Sequence, residues 1–162
     1  HYVEGNPKAT IVGDLTAGKT LPDAAFDCII LTQTLQMIFD AHAAIRTLHR
    51  ILKPGGWAIL QVPNANSIAR QLAKERWSGW DIPAHLTHFT PETLRWTAAK
   101  AGLEPVELNY SSVGTLANWV TWGPSAICRI LVFLVDQLCD LLRAGDCIVL
   151  FARRPDLRRS SD

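Results

Sequence analysis

The chain has 162 residues, 48% hydrophobic and 19% charged, which is enough for one domain with a core and excludes a disordered segment. A formal net charge of +1 gives no general attraction to nucleic acid or to another strongly charged partner. Cys28, Cys128, Cys139 and Cys147 sit in apolar runs without a CxxC pair, so buried free thiols in a reducing, cytoplasmic compartment are expected rather than a disulfide framework or a zinc site.

In chain order, Ala9 to Gly13 is a short β-prone run closed by Asp14 and a polar loop. Phe26 leads a near-continuous apolar run, Cys28 to Leu31, of the kind that forms a strand covered on both faces. Asp40 is placed to cap the next helix, whose apolar face is Ala44, Ile45, Leu48, Ile51 and Leu52. Gly55 can take the left-handed conformation that ends it. Trp57 to Val62 reads as a second strand, stopped by Pro63. A helix over Asn66 to Lys74 and an aromatic loop from Trp77 to Phe89 follow. Thr90 caps the next helix with Pro91 at its first position, and Gly102 stops it just past Ala101. Pro105 to Asn109 and Cys147 to Ala152 are two further strands, and Arg153 to Asp162 reads as a frayed basic tail.

Between those two strands lies an apolar segment, and Ser125 to Arg143 within it reads as a helix. Arg129, Asp136, Asp140 and Arg143 form a narrow polar stripe on it. These charges argue against a membrane span. The favoured expectation is burial against the sheet or a dimer partner. The alternative is a peripheral face over 125–143 that meets a membrane or a lipid-like substrate.

Three features in a fixed order resemble a class I S-adenosylmethionine-dependent methyltransferase. They are Gly13-Asp14-Leu15 followed by Leu21-Pro22-Asp23 and Phe26-Asp27; Arg50-Ile51-Leu52-Lys53-Pro54-Gly55-Gly56; and His85-Leu86-Thr87-His88-Phe89-Thr90-Pro91-Glu92-Thr93-Leu94 with Ala101-Gly102-Leu103. The third is similar to a stretch of small-molecule methyltransferases related to quinone-biosynthesis O-methyltransferases. The resemblance implies an α/β, Rossmann-like sheet over residues 1–152, with an apolar helical insert at 113–145. Its strands would lie near 27–32, 57–62, 105–109 and 147–152, the last antiparallel. It also implies S-adenosylmethionine as cofactor and a small-molecule or lipid-linked methyl acceptor.

By the same resemblance, Asp14 would accept a hydrogen bond from the adenine amino group and Leu15 would pack on the adenine face. Thr32 and Gln33 would line the methionine end of the cofactor; otherwise Asp14 is a turn residue and Thr32 and Gln33 cap the following helix. His85 and His88 are the candidates for acid-base work on the acceptor, or else they bond loop backbone and fix a substrate lid. Trp77 and Trp80 would wall an aromatic or acyl substrate or pack in the core. The family's glycine-rich first turn, and its acidic residue for the ribose, are not found in these 162 residues. The expectation is therefore a C-terminal portion of such an enzyme, weak in cofactor binding as an isolated chain and prone to self-association along an uncovered strand edge. A non-catalytic remnant or interaction module is the competing class.

Overall fold

The computed structural model describes residues 14–17, 21–112 and 126–156, so the β-prone run at 9–13 lies outside the described residues. β1 (Phe26–Thr32) leads through a 3-10 turn at Leu35–Met37 into α1 (Ala41–Ile51) and then β2 (Leu52–Pro63). α2 (Ile68–Ala73), a second 3-10 turn at Lys74–Arg76, α3 (Pro91–Lys100) and β3 (Glu104–Ser111) follow. α4 (Ala126–Leu141) and β4 (Cys147–Arg153) complete the described chain.

Local chemistry sets these boundaries. The Asp40 carboxylate accepts from the Ala43 amide at 2.8 Å and starts α1, satisfying a donor that the helix leaves open. Ala44, Ile45, Leu48 and Ile51 form its buried face, as their spacing requires. Ser67 caps α2 through the Arg70 amide. Thr90 and Thr93 bond each other's backbone amides at the start of α3, with Pro91 at its first position. Gly102, at φ +92, follows that helix as expected.

One boundary differs from the sequence expectation. α1 ends at Ile51 because Leu52 is already extended, and the Lys53-Pro54 step disfavours helix at Lys53. Gly55, at φ +76, instead shapes an irregularity inside β2. Phe26 pairs with Leu52, but Cys28 pairs with Trp57. A Cβ on the neighbouring Gly56 would stand 2.8 Å from the Lys53 carbonyl oxygen and 3.0 Å from that of Asp27, so the second glycine is needed for close approach of the two strands.

The sheet order is β1-β2-β4-β3. β1 and β2 run parallel, and β4 is antiparallel to both β2 and β3, matching the arrangement implied by the resemblance. Side chains alternate across this sheet. Leu31, Ala58, Leu60, Val62, Leu108, Ile148, Leu150 and Ala152 join the α1 and α3 residues, Leu94 and Ala98 among them, in one core. The other face stays half-open: Ile30 is 62% exposed, Trp57 is also exposed, and Ile59, Val149 and Phe151 are half-buried. β1 is therefore not covered on both faces. Among the described residues it is an edge strand with one face outside the core, which is why Cys28 is exposed; Cys139 on α4 and Cys147 at the start of β4 are buried. The side chain of Cys128 lies outside the described residues.

α4 lies in the expected insert, but its described apolar side chains are not covered by the sheet of their own chain. Ile130, Phe133, Leu134, Val135, Leu138 and Leu141 are exposed, and so is Leu142 just beyond the helix; Cys139 is buried. Its stripe is partly engaged, with the Ser112 hydroxyl donating to Asp140 at 2.7 Å. Among the described residues no helix is long and apolar enough to cross a membrane. The start of the basic tail is also ordered differently from expectation. Arg153 ends β4, and Arg154 donates to the carbonyls of Arg50 and Leu52, pinning the end of the sheet to the end of α1.

The one-sided core predicts asymmetric stability. Leu60→Ala should cost about 2–5 kcal/mol in denaturant unfolding, whereas Ile30→Thr should change stability by less than about 0.5 kcal/mol and lower self-association in light scattering. Equal losses from the two variants would mean that the outer face is covered in solution.

Candidate active site

Parallel strands bring the chain ends of β1 and β2 to one edge of the sheet, and ligands in open α/β sheets bind beyond such carboxyl ends. The antiparallel β4 begins at this same edge, where Cys147 pairs with Pro63. Segments distant in sequence therefore meet here for topological reasons.

Gln33 is the first residue after β1 and sits at φ +50, an uncommon conformation for a residue with a side chain. Its amide donates to the Gln61 carbonyl at 3.0 Å, which extends the β1–β2 ladder by one bond. Its Nε2 donates to Cys147 Sγ at 3.3 Å, and its Oε1 accepts from Gln36 Nε2 at 2.9 Å. Gln36 is 1% exposed. Its carbonyl accepts from the amides of Leu86 (2.8 Å) and Thr87 (3.0 Å), which fastens the aromatic loop to the turn after β1. Its Oε1 is buried with no hydrogen-bond partner among the described residues.

His85 belongs to that loop and completes the cluster. Nδ1 lies 2.8 Å from the Gly79 carbonyl oxygen; a carbonyl only accepts, so Nδ1 carries the proton. Nε2, which bears a lone pair when the ring is neutral, lies 3.5 Å from Gln36 Nε2 and 3.9 Å from Asp81 Oδ2. His88 Nε2 donates to the Trp80 carbonyl at 3.1 Å, and its ring meets Trp80 edge-on at 4.8 Å. Both histidines thus bond loop backbone, and His85 also faces the Gln33–Gln36 pair.

The loop itself is held by Asp146, a buried carboxylate. Its Oδ1 accepts from Trp77 Nε1 at 2.7 Å and from Ser67 Oγ at 3.2 Å. Trp77 is 2% exposed and serves as a core anchor. Trp80 packs against it edge-on at 5.3 Å and donates to the Lys74 carbonyl, leaving its ring half-exposed.

The remaining sequence candidates are placed as follows. Thr32 is exposed at the end of β1, and its carbonyl accepts from Thr34 Oγ1 at 2.9 Å. No side chain caps the short turn at Leu35–Met37, so neither Thr32 nor Gln33 has that role. Asp14 is exposed and accepts from the Thr16 amide and hydroxyl, both at 2.8 Å. The Thr16 amide is the leading reason that the Asp14 carboxyl is held below its ordinary range, so Asp14 is ionised at neutral pH. Leu15 packs against the core. Among the described residues, no group of three His, Cys, Asp or Glu side chains is arranged to hold a metal.

Gln36, Asn64, Ser67 and Asp146 were not singled out from sequence. Gln33 and Gln36 carried a faint signal, two amides three residues apart directly after a strand. Asp146 carried none, because its donors come from β2, α2 and the aromatic loop.

Residues 4–108 match a family described as a methyltransferase domain. The ubiquinone/menaquinone biosynthesis C-methyltransferase of Pectobacterium carotovorum is 33% identical over 101 residues, 62% of this chain and 34% of that protein. The malonyl-[acyl-carrier protein] O-methyltransferase of Serratia marcescens is also 33% identical over 101 residues, 59% of this chain and 39% of that protein. The chain thus spans less than two fifths of the length of these relatives. Among solved structures, a SAM-dependent methyltransferase from Thermotoga maritima superposes with a TM-score of 0.62 at 19% identity, covering 89% of this chain and 63% of the other. A phosphoethanolamine N-methyltransferase from Haemonchus contortus, solved with S-adenosylhomocysteine, gives 0.54 at 15% identity, covering 88% and 36%. These structural likenesses show a shared Rossmann-like fold.

Two thiols, Cys147 at this edge and Cys28 near the start of β1, provide a test of the packing. Burial, reinforced by the Asp146 carboxylate, raises the Cys147 thiol from 9.0 to about 11. Its pKa is higher folded than unfolded, so its contribution to stability is complete below pH 9.0 and is lost as pH rises through about 11. At pH 7.5, iodoacetamide should modify Cys28 and spare Cys147 until denaturant is added, as read by mass spectrometry of peptides. Rapid native labelling of Cys147 would contradict the packing of the site.

Proposed function

This chain belongs to the methyltransferase domain family, and we propose that it contributes to methyl transfer from S-adenosylmethionine to a small-molecule or lipid-linked acceptor. Bound at this edge, the cofactor would supply an electrophilic methyl group on a sulfonium sulfur. Asp14 would serve such a group at one point: it offers an ionised, solvent-facing carboxylate, matched to an amino donor such as that of adenine. Leu15, next to it, offers an apolar contact for a ring face. In this reading Thr32 and Gln33, at the end of β1 and just after it, would line the methionine end of the cofactor and the substrate entrance.

His85 is the base in this reading. Its Nε2 lone pair takes a proton from the acceptor hydroxyl or related group as that group attacks the methyl. His88 holds the loop and Trp80 beside it. The main contribution of the protein is orientation, since displacement at a methyl group needs the nucleophile in line with the leaving sulfur. Phe39, Ile82 and Leu86 are exposed on connections at this edge, which supports an apolar acceptor over a highly charged one.

The observation that carries the proposal is the joining of Gln33, after β1, to His85, more than fifty residues later, through buried Gln36. The competing non-catalytic reading draws support from the exposed apolar surface of α4. Because the chain spans only part of its relatives, its own cofactor affinity is expected to be low, in the millimolar range or weaker. Titration with S-adenosylhomocysteine, followed by amide chemical shifts, suits that range. Signals of Asp14 to Ala17 and of Thr32 to Thr34 should move together. Asp14→Ala should weaken binding by roughly tenfold through loss of a charged hydrogen bond. No shift at either segment up to about 10 mM ligand would favour the interaction module.

A further inference from the structure

The hydrogen bonds around His85 form an open chain with a defined direction. Gln36 Nε2 donates to Gln33 Oε1 and faces the bare Nε2 of His85, while Gln33 Nε2 donates to Cys147 Sγ. That arrangement matches an acceptor lone pair on Nε2. It leaves Gln36 Oε1 buried without a partner among the described residues, and buried polar atoms in that state call for an explanation.

The amide oxygen and nitrogen of glutamine have nearly the same shape, so both side chains can rotate by 180° with their heavy atoms almost unmoved. After rotation, Gln36 Oε1 accepts from Gln33 Nε2 and from a protonated His85 Nε2, and Gln33 Oε1 accepts from the Cys147 thiol. Three contacts exist before rotation and three after. The unpartnered atom changes from the Gln36 oxygen to the Gln36 nitrogen. Throughout, His85 Nδ1 stays on the Gly79 carbonyl.

We propose that Gln33 and Gln36 are positioning residues forming a reversible amide relay that lets His85 gain and release a proton without a net loss of hydrogen bonds. This rests on His85 as the base of the proposed methyl transfer. The proton passes from the acceptor to His85 Nε2 as the acceptor takes the methyl group, and it leaves to solvent before the next turnover. Cys147 is the fixed end of the relay, a thiol that stays protonated and can turn from acceptor to donor. The charged group facing His85 is Asp81, 3.9 Å from Nε2; it competes with Gln36 for the added proton.

The test uses the ligand-free 162-residue chain and NMR of side-chain amides and imidazoles across pH 5 to 8. The amide signals of Gln33 and Gln36 should shift with the same midpoint as His85, and His85→Phe should abolish both transitions. Gln33→Leu should leave the His85 titration visible while changing the response of Gln36. Gln36→Glu, whose ionised carboxylate can only accept from Nε2, should raise the His85 midpoint, with Asp81→Asn as a separate control for the other carboxylate. Static amide signals through the His85 transition, or an unmoved midpoint in Gln36→Glu, would overturn the relay. Should the amides titrate while S-adenosylhomocysteine perturbs nothing, the relay stands and the methyltransferase role of this chain falls.

Discussion

A buried carboxylate governs the architecture around the candidate site. Asp146 immediately precedes β4, where an ionised group needs strong partners if it is to sit among apolar strands. It takes the Trp77 indole and the Ser67 hydroxyl on one oxygen, and its backbone carbonyl accepts from the Asn64 amide at 2.7 Å. Asn64 in turn donates from its side chain to Gly145. Four segments, the end of β2, the start of α2, the aromatic loop and the start of β4, are thereby locked at one edge. Charge-assisted bonds of this type are shorter and stronger than neutral ones.

The loop held there has two different tasks. Trp77 faces inward and fixes its root, while His85 reaches across to the turn after β1. The backbone bonds from Leu86 and Thr87 to Gln36 hold the two segments together. The polar side chains can then adjust by turning their amide groups in place. A site that combines a rigid frame with rotatable amides can keep a base in place while its charge changes, which a rigid apolar wall cannot do.

The other side of the molecule follows a different logic. The sheet has one well-filled face, and its second face is open around Ile30 and Trp57. α4 likewise presents side chains such as Phe133 and Leu138 to solvent. Exposed apolar patches of this extent mark contact surfaces more often than neutral ones. Of the two partners expected for this helix, its own sheet does not cover these side chains; hydrophobic composition sets the tendency to be buried but does not name the surface that does the burying.

Local information in the amino-acid sequence was sufficient for much of the fold. Asp40, Thr90 and Pro91 mark helix starts through bonds within a few residues, and Ala44, Ile45 and Leu48 mark a buried face through spacing alone. The order of motifs was enough to indicate the family and the antiparallel last strand. Gly55 was legible as a residue needing positive φ, though its use in a strand irregularity depended on where β2 slides along β1. Exposure of Cys28 and Ile30 depended on which strands flank β1. The contacts of Gln36 and Asp146 came only from tertiary structure, because every partner that gives them meaning lies on a different segment. Periodicity and capping report what a residue does to its neighbours in sequence. A hydrogen-bonded cluster at the meeting point of β1, β4 and a distant loop exists only once the sheet has brought them together.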